Sequence, residues 1–425
     1  MTNPVEDKDF SFSPVPQSHR KGFIIQFFVI LAFTFFSSSM LAGGQLGIGL
    51  ELKTFFLIVL LGNLVLGIYA ASLAYISAGA GLSTHLLTQY SFGKYGSYLT
   101  SFLLGAIQIG WFGVGVATFA LLVNQVTNIN MYILIFIGGL LMTSTAYWGF
   151  KALTILSFIA VPAIAILGSI SVFQATESVG GLSSMLQLNP ENPLAFTTAL
   201  TMCIGSFIGG ATLTPDFMRF TKTKKTALFA TLLGFFIGNS LMFIFGAIGA
   251  MSTGYADISE VMIAQGLIIP AIVILGLNIW STNDNSLYAS GLAFAHVTKK
   301  PKTKIVMING LIGTVLSLWL YSNFVSWLVL LGSILPPIGA IIIADYIMYR
   351  RNGYPPENQF QNVRWESIFS WIIGIYAGQF IPGITPLNAI SGAFVCYIIT
   401  SKVLQTKDAI QAEIELHTMR MEELK

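Results

Sequence analysis

Twelve stretches of roughly 20 mostly apolar residues run through this chain, separated by charged or turn-forming breaks. Their approximate limits are 23–48, 54–79, 97–125, 131–149, 151–173, 195–217, 226–251, 266–292, 303–321, 324–346, 365–382 and 386–403. About 20 apolar residues coiled as a helix match the hydrocarbon thickness of a bilayer. The chain is 54% hydrophobic and 9% charged, with a mean hydropathy of +0.75, a balance that a water-soluble domain would not tolerate without aggregating. The reading is an all-α integral membrane protein with about 12 transmembrane helices.

The first 22 residues are polar and contain Pro14 and Pro16, and the first apolar block is too long for a signal-peptide core and lacks a small-residue cleavage pattern. No cleavage is expected. Cys203 and Cys396 fall inside apolar blocks and read as packing thiols rather than a disulfide framework. His19, His85, His296 and His417 all fall in expected loops or tails. An intramembrane metalloprotease or haem protein needs such ligands at membrane depth, so those enzyme classes are excluded.

With the N-terminus in the cytoplasm, every Lys and Arg except Lys53 falls on the cytoplasmic side, as the positive-inside rule requires. The clusters Arg219/Lys222/Lys224/Lys225, Lys299/Lys300/Lys302/Lys304 and Arg350/Arg351/Arg364 are then cytoplasmic, and Glu177, Glu191, Asp257 and Glu260 are outside. These clusters are read as setting topology, not as binding lipid or nucleic acid. Both termini are cytoplasmic, and the tail after Lys402 has the spacing of an amphipathic helix.

Blocks one and six are each interrupted near their middles by small and polar residues. Ser37-Ser38-Ser39 with Gly43-Gly44 interrupts the first, and Gly205-Ser206 with Gly209-Gly210 the sixth. The interruptions lie about 170 residues apart, and blocks two and seven, and three and eight, repeat that offset. Two units of five helices follow, and because five is odd the second enters the membrane from the opposite side. The divisions are an N-terminal tail (1–22), a first repeat (23–173), a second repeat (195–346), two extra helices (365–403) and a C-terminal tail (404–425). Discontinuous helices 1 and 6 would expose backbone groups that only a cavity can satisfy. The same glycines also suit close helix packing.

The densest polar run at membrane depth is Asn278-Ile-Trp-Ser-Thr-Asn-Asp-Asn285, inside an otherwise apolar segment from Gly266 to Leu292. Lipid would reject it. At 100° per residue Asn278, Ser281, Thr282 and Asn285 share one stripe. The Asn278 carbonyl and the Ser281 and Thr282 hydroxyls, with two carbonyls from the broken first helix, would form an uncharged oxygen shell suited to Na⁺. Alternatively, the hydroxyls bond back to helix carbonyls one turn earlier. Asp284 points away from this stripe and fits either proton coupling or a structural bond. Asp216 and Asp345, at block ends, read as boundary residues.

In block three, Gln108 and Trp111 share a face. A buried indole and a carboxamide match the face and edge of a planar amide or amidine heterocycle. Phe207, beside Ser206, supplies a second aromatic, so a ring can be held between two faces. Asn283, about 100° round from the ion stripe, is expected to turn toward that ring.

The chain resembles the nucleobase:cation symporter family over nearly its whole length. The resemblance is carried by Thr34-Phe-Phe-Ser-Ser-Ser-Met40, Gly81-Leu-Ser-Thr-His-Leu-Leu87, Gln108-Ile-Gly-Trp-Phe-Gly-Val-Gly115, Gly205-Ser-Phe-Ile-Gly-Gly210 and Trp280-Ser-Thr-Asn-Asp-Asn-Ser-Leu-Tyr-Ala-Ser-Gly291. It implies a five-plus-five inverted-repeat, LeuT-like core working by alternating access. It further implies import of cytosine across a bacterial inner membrane by cation symport, with Na⁺ as coupling ion and no organic cofactor. By that resemblance Trp111 and Phe207 sandwich the pyrimidine, Gln108, Ser206 and Asn283 bond its edge, and Phe36 closes the pocket. The sodium ligands would be the carbonyls of Ala32, Phe35 and Asn278 and the hydroxyls of Ser281 and Thr282. Ala32 and Ser281 stand where relatives are expected to carry glycine and threonine; carbonyl and hydroxyl ligation survive both changes. Other readings are another planar nucleobase or hydantoin, proton coupling, or a passive channel. The partners expected are the substrate and the lipid bilayer, with no nucleic acid and no obligate protein.

Overall fold

The structure is a computed structural model that describes residues 10, 13–148, 150–355 and 361–423, with side chains at 148, 150–160 and 405–423 outside the described set. Each of the twelve apolar blocks is helical. Block one is divided into α1 (Phe23–Thr34) and α2 (Ser37–Gly49), which meet at 55°. There follow α3 (Leu52–Ala80), a short α4 (Thr84–Phe92), α5 (Gly96–Thr127), α6 (Met131–Trp148), α7 (Phe150–Ser178) and the single turn α8 (Leu182–Met185). The second half holds α9 (Phe196–Met218), α10 (Lys224–Gly234), α11 (Ser240–Thr253), α12 (Ile258–Ala264), α13 (Ile268–Pro270) and α14 (Gly276–Thr298). It ends with α15 (Lys302–Ser322), α16 (Phe324–Ile334), α17 (Pro336–Asp345), α18 (Trp365–Phe380) and α19 (Thr385–Glu423).

Among the described residues eight helices are long and apolar enough to cross a bilayer, and the bent pair makes a ninth. Three π-helical turns, at Phe235–Asn239, Ala271–Leu275 and Tyr346–Arg350, join or extend helices. The expected amphipathic face of the tail after Lys402 lies outside the described residues, although α19 continues to Glu423.

Block one is broken, but at Phe35–Phe36, and the expected Ser37–Ser39 and Gly43-Gly44 lie inside α2; block six is a continuous helix, contrary to expectation. Gly205 serves close approach instead of unwinding, while a Cβ at Gly210 would meet the Phe207 ring of the same helix. A Cβ at Gly205 would fall well inside contact with the Leu328 carbonyl of α16, so α9 and α16 cross backbone to backbone there. Gly43 and Gly47 likewise let α2 lie on α11, where a Cβ at Gly47 would sit 2.5 Å from the Ala247 carbonyl oxygen. The pairing of α2 with α11 is matched by that of α3 with α9, the pattern expected when the two halves exchange places.

At the basic end Asp345 is more than a boundary residue. It is buried, 2.5 Å from Arg364 Nη1 and 3.5 Å from Arg350 Nε, and accepts from the Tyr397 hydroxyl at 2.8 Å. Asp216 accepts the backbone amide of Thr84, at the start of α4, at 2.8 Å. His85 and His296, expected in loops, are helical and buried, with stacked rings 6.0 Å apart. Cys203 and Cys396 are free thiols.

The α2–α11 crossing can be checked at Gly246, where a Cβ would overlap the Met40 carbonyl. Gly246→Ala is expected to destabilise the protein by about 1–3 kcal/mol, lowering its thermal midpoint in detergent. An unchanged midpoint would mean the crossing is looser than described.

Candidate functional site

The α1–α2 break sits at Phe35 (φ −76°, ψ 61°) and Phe36 (φ −101°, ψ 120°), both buried. Neither continues the helix, so the last carbonyls of α1, including that of Ala32, have no amide one turn ahead. Asn278 of α14 answers one of them, donating its Nδ2 to the Phe35 carbonyl at 3.2 Å. Its own backbone carbonyl accepts from the Ser281 hydroxyl at 2.9 Å and from Thr282 at 3.0 Å. Ser37, at the start of α2, has its hydroxyl 3.4 Å from that of Thr282. These are the bonds back to helix carbonyls that the alternative reading expected; with the Phe35 contact they bring four of the five expected ion ligands together, and Ala32 lies in the adjoining last turn of α1. Asn278 Oδ1 is buried with no hydrogen-bond partner. An orphaned oxygen at membrane depth is costly, and a cation bound among these groups would satisfy it.

Beside this cluster lies a cavity of about 790 Å³. Gln108 and Trp111 of α5, Ser206 and Phe207 of α9, Phe36, and Thr282 of α14 line it. It also reaches Lys21, Arg219 and Lys299–Lys302, so its mouth is at the basic end. Burial and the nearby Lys94 charge lower the Lys299 ammonium from its usual value. Deep in the cavity Phe36 meets Trp111 edge-on at 5.2 Å between centroids and Phe207 at 5.8 Å, and Phe324 backs Trp111 at 6.1 Å. The two expected ring-holding aromatics therefore share Phe36 as a neighbour. The Ser206 hydroxyl donates to the Cys203 carbonyl at 2.8 Å. Gln108 has no hydrogen bond among the described residues, which leaves its carboxamide to the cavity.

Asn283 does not face the cavity, in contrast to the expectation. Its Nδ2 donates to the Phe112 carbonyl at 3.2 Å and approaches Met142 Sδ at 3.2 Å. A Cβ at Gly115 would overlap its side chain, so that glycine makes its niche. A 100° step carries Asn283 into the α5–α6 wall; the cavity face of α14 is Thr282, Asn285, Ser286 and Ala289, at helical spacing. Asn285 belonged to the polar stripe, whereas Ser286 and Gln26 were missed. Gln26, buried in the cavity wall, was legible as the one glutamine of an α1 that is apolar but for Thr34 at its end.

Asp284 also points elsewhere. Buried, it accepts from the Thr145 hydroxyl at 2.8 Å, which in turn accepts from Trp280 Nε1 at 2.8 Å. This is a structural chain between α14 and α6. At the opposite end of the bundle, Asp257 caps α12 by accepting from the Ser259 amide at 2.7 Å and takes the Tyr321 hydroxyl of α15. Burial and the Asp257 charge raise the Glu260 carboxyl, while Gln125 bonds it at 3.2 Å and opposes the shift.

A multi-span helical bundle whose cavity ends beneath a broken helix, with uncharged polar groups at the inner end, has the arrangement common in secondary transporters. A family model described as permease for cytosine/purines, uracil, thiamine, allantoin matches residues 14–399, and the chain belongs to that family. Cytosine permease of Escherichia coli (strain K12) is 53% identical over 403 residues, covering 95% of this chain and 96% of the relative. Hydantoin permease of Microbacterium maritypicum is 21% identical over 359 residues, covering 75% of this chain and 73% of its own. These relatives are permeases, not enzymes. Among solved structures, the inward-facing conformation of Mhp1 superposes with a TM-score of 0.82 at 17% identity, covering 93% of each chain. A closed Mhp1, a nucleobase-cation-symport-1 family transporter with bromovinylhydantoin bound, gives 0.81 at 19% identity, covering 93% of this chain and 96% of that one.

The orientation of α14 can be read by thiol labelling in a background with Cys203 and Cys396 replaced. Ala289→Cys is expected to react with a membrane-impermeant thiol reagent applied to the basic side, and Asn283→Cys to stay protected. Equal labelling of the two would show that α14 is rotated from the orientation described.

Proposed function

We propose that the protein imports cytosine across a bacterial inner membrane by symport with Na⁺, alternating access to one site. The observation that carries this reading is Thr282. It lines the cavity beside Gln108 and Trp111, and its hydroxyl bonds the carbonyl of Asn278 in the oxygen cluster at the helix break. One residue thus joins a heterocycle site to a cation site, so occupancy of either changes the other. The name of the 53%-identical relative, cytosine permease, supports the base. The charge-free oxygen set of Ala32, Phe35, Asn278, Ser281 and Thr282 supports a hard monovalent cation over a proton.

In this reading the pyrimidine lies against Trp111 and Phe207 with its edge on Gln108 and Ser206, and Phe36 shuts it in. Asn283 shapes the α14 wall from behind, taking no direct bond to the base in the conformation described. The cavity faces the cytoplasm, where the basic clusters and both termini lie. Residues 23–173 and 195–346 are the two inverted repeats, and 365–403 the added pair of helices. A second reading, uptake of another planar base or hydantoin, draws on the hydantoin permease relative and requires only changes at the base edge. Proton coupling would rest on Asp284, whose bond to Thr145 sets it away from the ion cluster.

Truncating a buried neutral hydrogen-bonding group costs about 1–3 kcal/mol, so Gln108→Ala is expected to weaken cytosine binding by roughly 5- to 150-fold. Unchanged binding and uptake in Gln108→Ala and Trp111→Ala would remove the pocket assignment. Competition of uptake by cytosine, uracil, adenine and hydantoin, with and without Na⁺, separates the two substrate readings. Thr282→Ala is expected to flatten the sodium dependence of uptake. Uptake that follows pH at fixed sodium, and is lost in Asp284→Asn, would replace sodium with proton coupling.

A further inference from the structure

A second cavity, of about 390 Å³, opens at the basic end and shares no lining residue with the first. Its walls come from the end of α3, the start of α10, the π-turn after α17 and the N-terminal segment at Pro14. Three cations line it, Lys224, Arg350 and Arg351, and among the described residues no carboxylate does. The stem of Lys224 lies flat on Gly79, and its ammonium is 3.1 Å from the Tyr346 hydroxyl and 5.2 Å from the centroid of the Tyr75 ring. Among the described residues Lys224 has no ion pair. Arg350 faces Asp345 at 3.5 Å and shares that carboxylate with Arg364, itself paired with Glu366 at 2.7 Å, so the positive charge left over is that of Lys224 and Arg351. Arg351 is exposed and makes no ion pair among the described residues.

We propose that this pocket binds a phosphate-bearing anion held by Lys224, Arg350 and Arg351, which ties the start of α10 to the turn after α17. Guanidinium groups present paired donors that match phosphate oxygens, and an ammonium with phenol hydroxyls adds donors from another side. Setting topology requires cations near the membrane surface but does not require them to converge on one pocket from separate elements. The π-turn at Tyr346–Arg350 directs Arg350 into this wall, and such turns are common at functional positions. Two sources carry the same chemistry: the phosphodiester of an anionic lipid at this level of the bilayer, and a soluble phosphate.

The test uses the purified full chain in a neutral detergent at low ionic strength and reads the thermal midpoint with added phosphatidylglycerol, phosphatidylcholine or pyrophosphate. A rise of about 2–5 °C with phosphatidylglycerol or pyrophosphate is expected at saturating probe. It should be absent in the Lys224→Gln/Arg351→Gln variant and retained in Lys304→Gln, a basic control outside the pocket. A rise with phosphatidylglycerol but not pyrophosphate identifies a lipid phosphodiester; the converse identifies a soluble phosphate. If the double variant does not fold, Arg351→Gln alone, whose side chain is exposed, should show a smaller rise at the same probe concentration. No rise with either probe, a rise retained in full in the pocket variants, an equal loss in Lys304→Gln, or an equal rise with phosphatidylcholine would overturn the proposal.

Discussion

Between Thr34 and Ser37 the main chain gives up its helical hydrogen bonds in the interior of a membrane protein, and the neighbouring elements are placed to meet what it frees. The Asn278 amide takes the Phe35 carbonyl, and the Thr34 hydroxyl, bonded also to its own helix, reaches the Gly234 carbonyl at 3.1 Å. On the far side of the break Ser39 donates to Asn239 at 2.8 Å, and Asn239 donates to Asn63 at 2.7 Å. Unpaired backbone groups at this depth each cost several kcal/mol, so the break persists only inside such a polar lining. The lining also supplies oxygens suited to a cation, and the cavity ends against it.

Most of the small residues that punctuate the apolar blocks have another use. At Gly43, Gly47, Gly205 and Gly246 the helix backbones come so close that a methyl group would collide with a carbonyl on the neighbour. Lipid provides no hydrophobic drive for helix association, so this close contact contributes the packing that greasy side chains supply in water. Helix α9 stays continuous past Gly205, where α16 packs on it, while α1–α2 opens where Asn278 takes up a freed carbonyl. The asymmetry between the two related helices is therefore a matter of what each one meets.

Buried charge is concentrated at the basic end, where Asp345 is shared by Arg350, Arg364 and Tyr397. Arg364 also donates to the Tyr90 carbonyl at 2.9 Å, joining the start of α18 to the end of α4, with α17 and α19 held by the same carboxylate. Removing one member of such a set leaves an unpaired buried charge, a cost of about 3–5 kcal/mol.

The helical character of all twelve apolar blocks was legible in the residues, because hydrocarbon admits only segments that satisfy their own backbone, although among the described residues only eight helices, or nine with the bent pair, have the length and apolarity of a span. That block one breaks was legible too, though not that it does so at Phe35–Phe36, and so was the polar stripe of α14, whose i, i+3, i+4 spacing puts Asn278, Ser281 and Thr282 on one face whatever surrounds them. Local spacing gives the angle between residues but not which side of a helix meets a cavity. Tertiary packing alone sent Asn283 into the wall against Phe112 and Met142, turned Asn285 and Ser286 to the cavity, and kept the glycines of α9 helical. Each of those outcomes depends on the neighbouring helix, and the neighbour is set by contacts far apart in the chain.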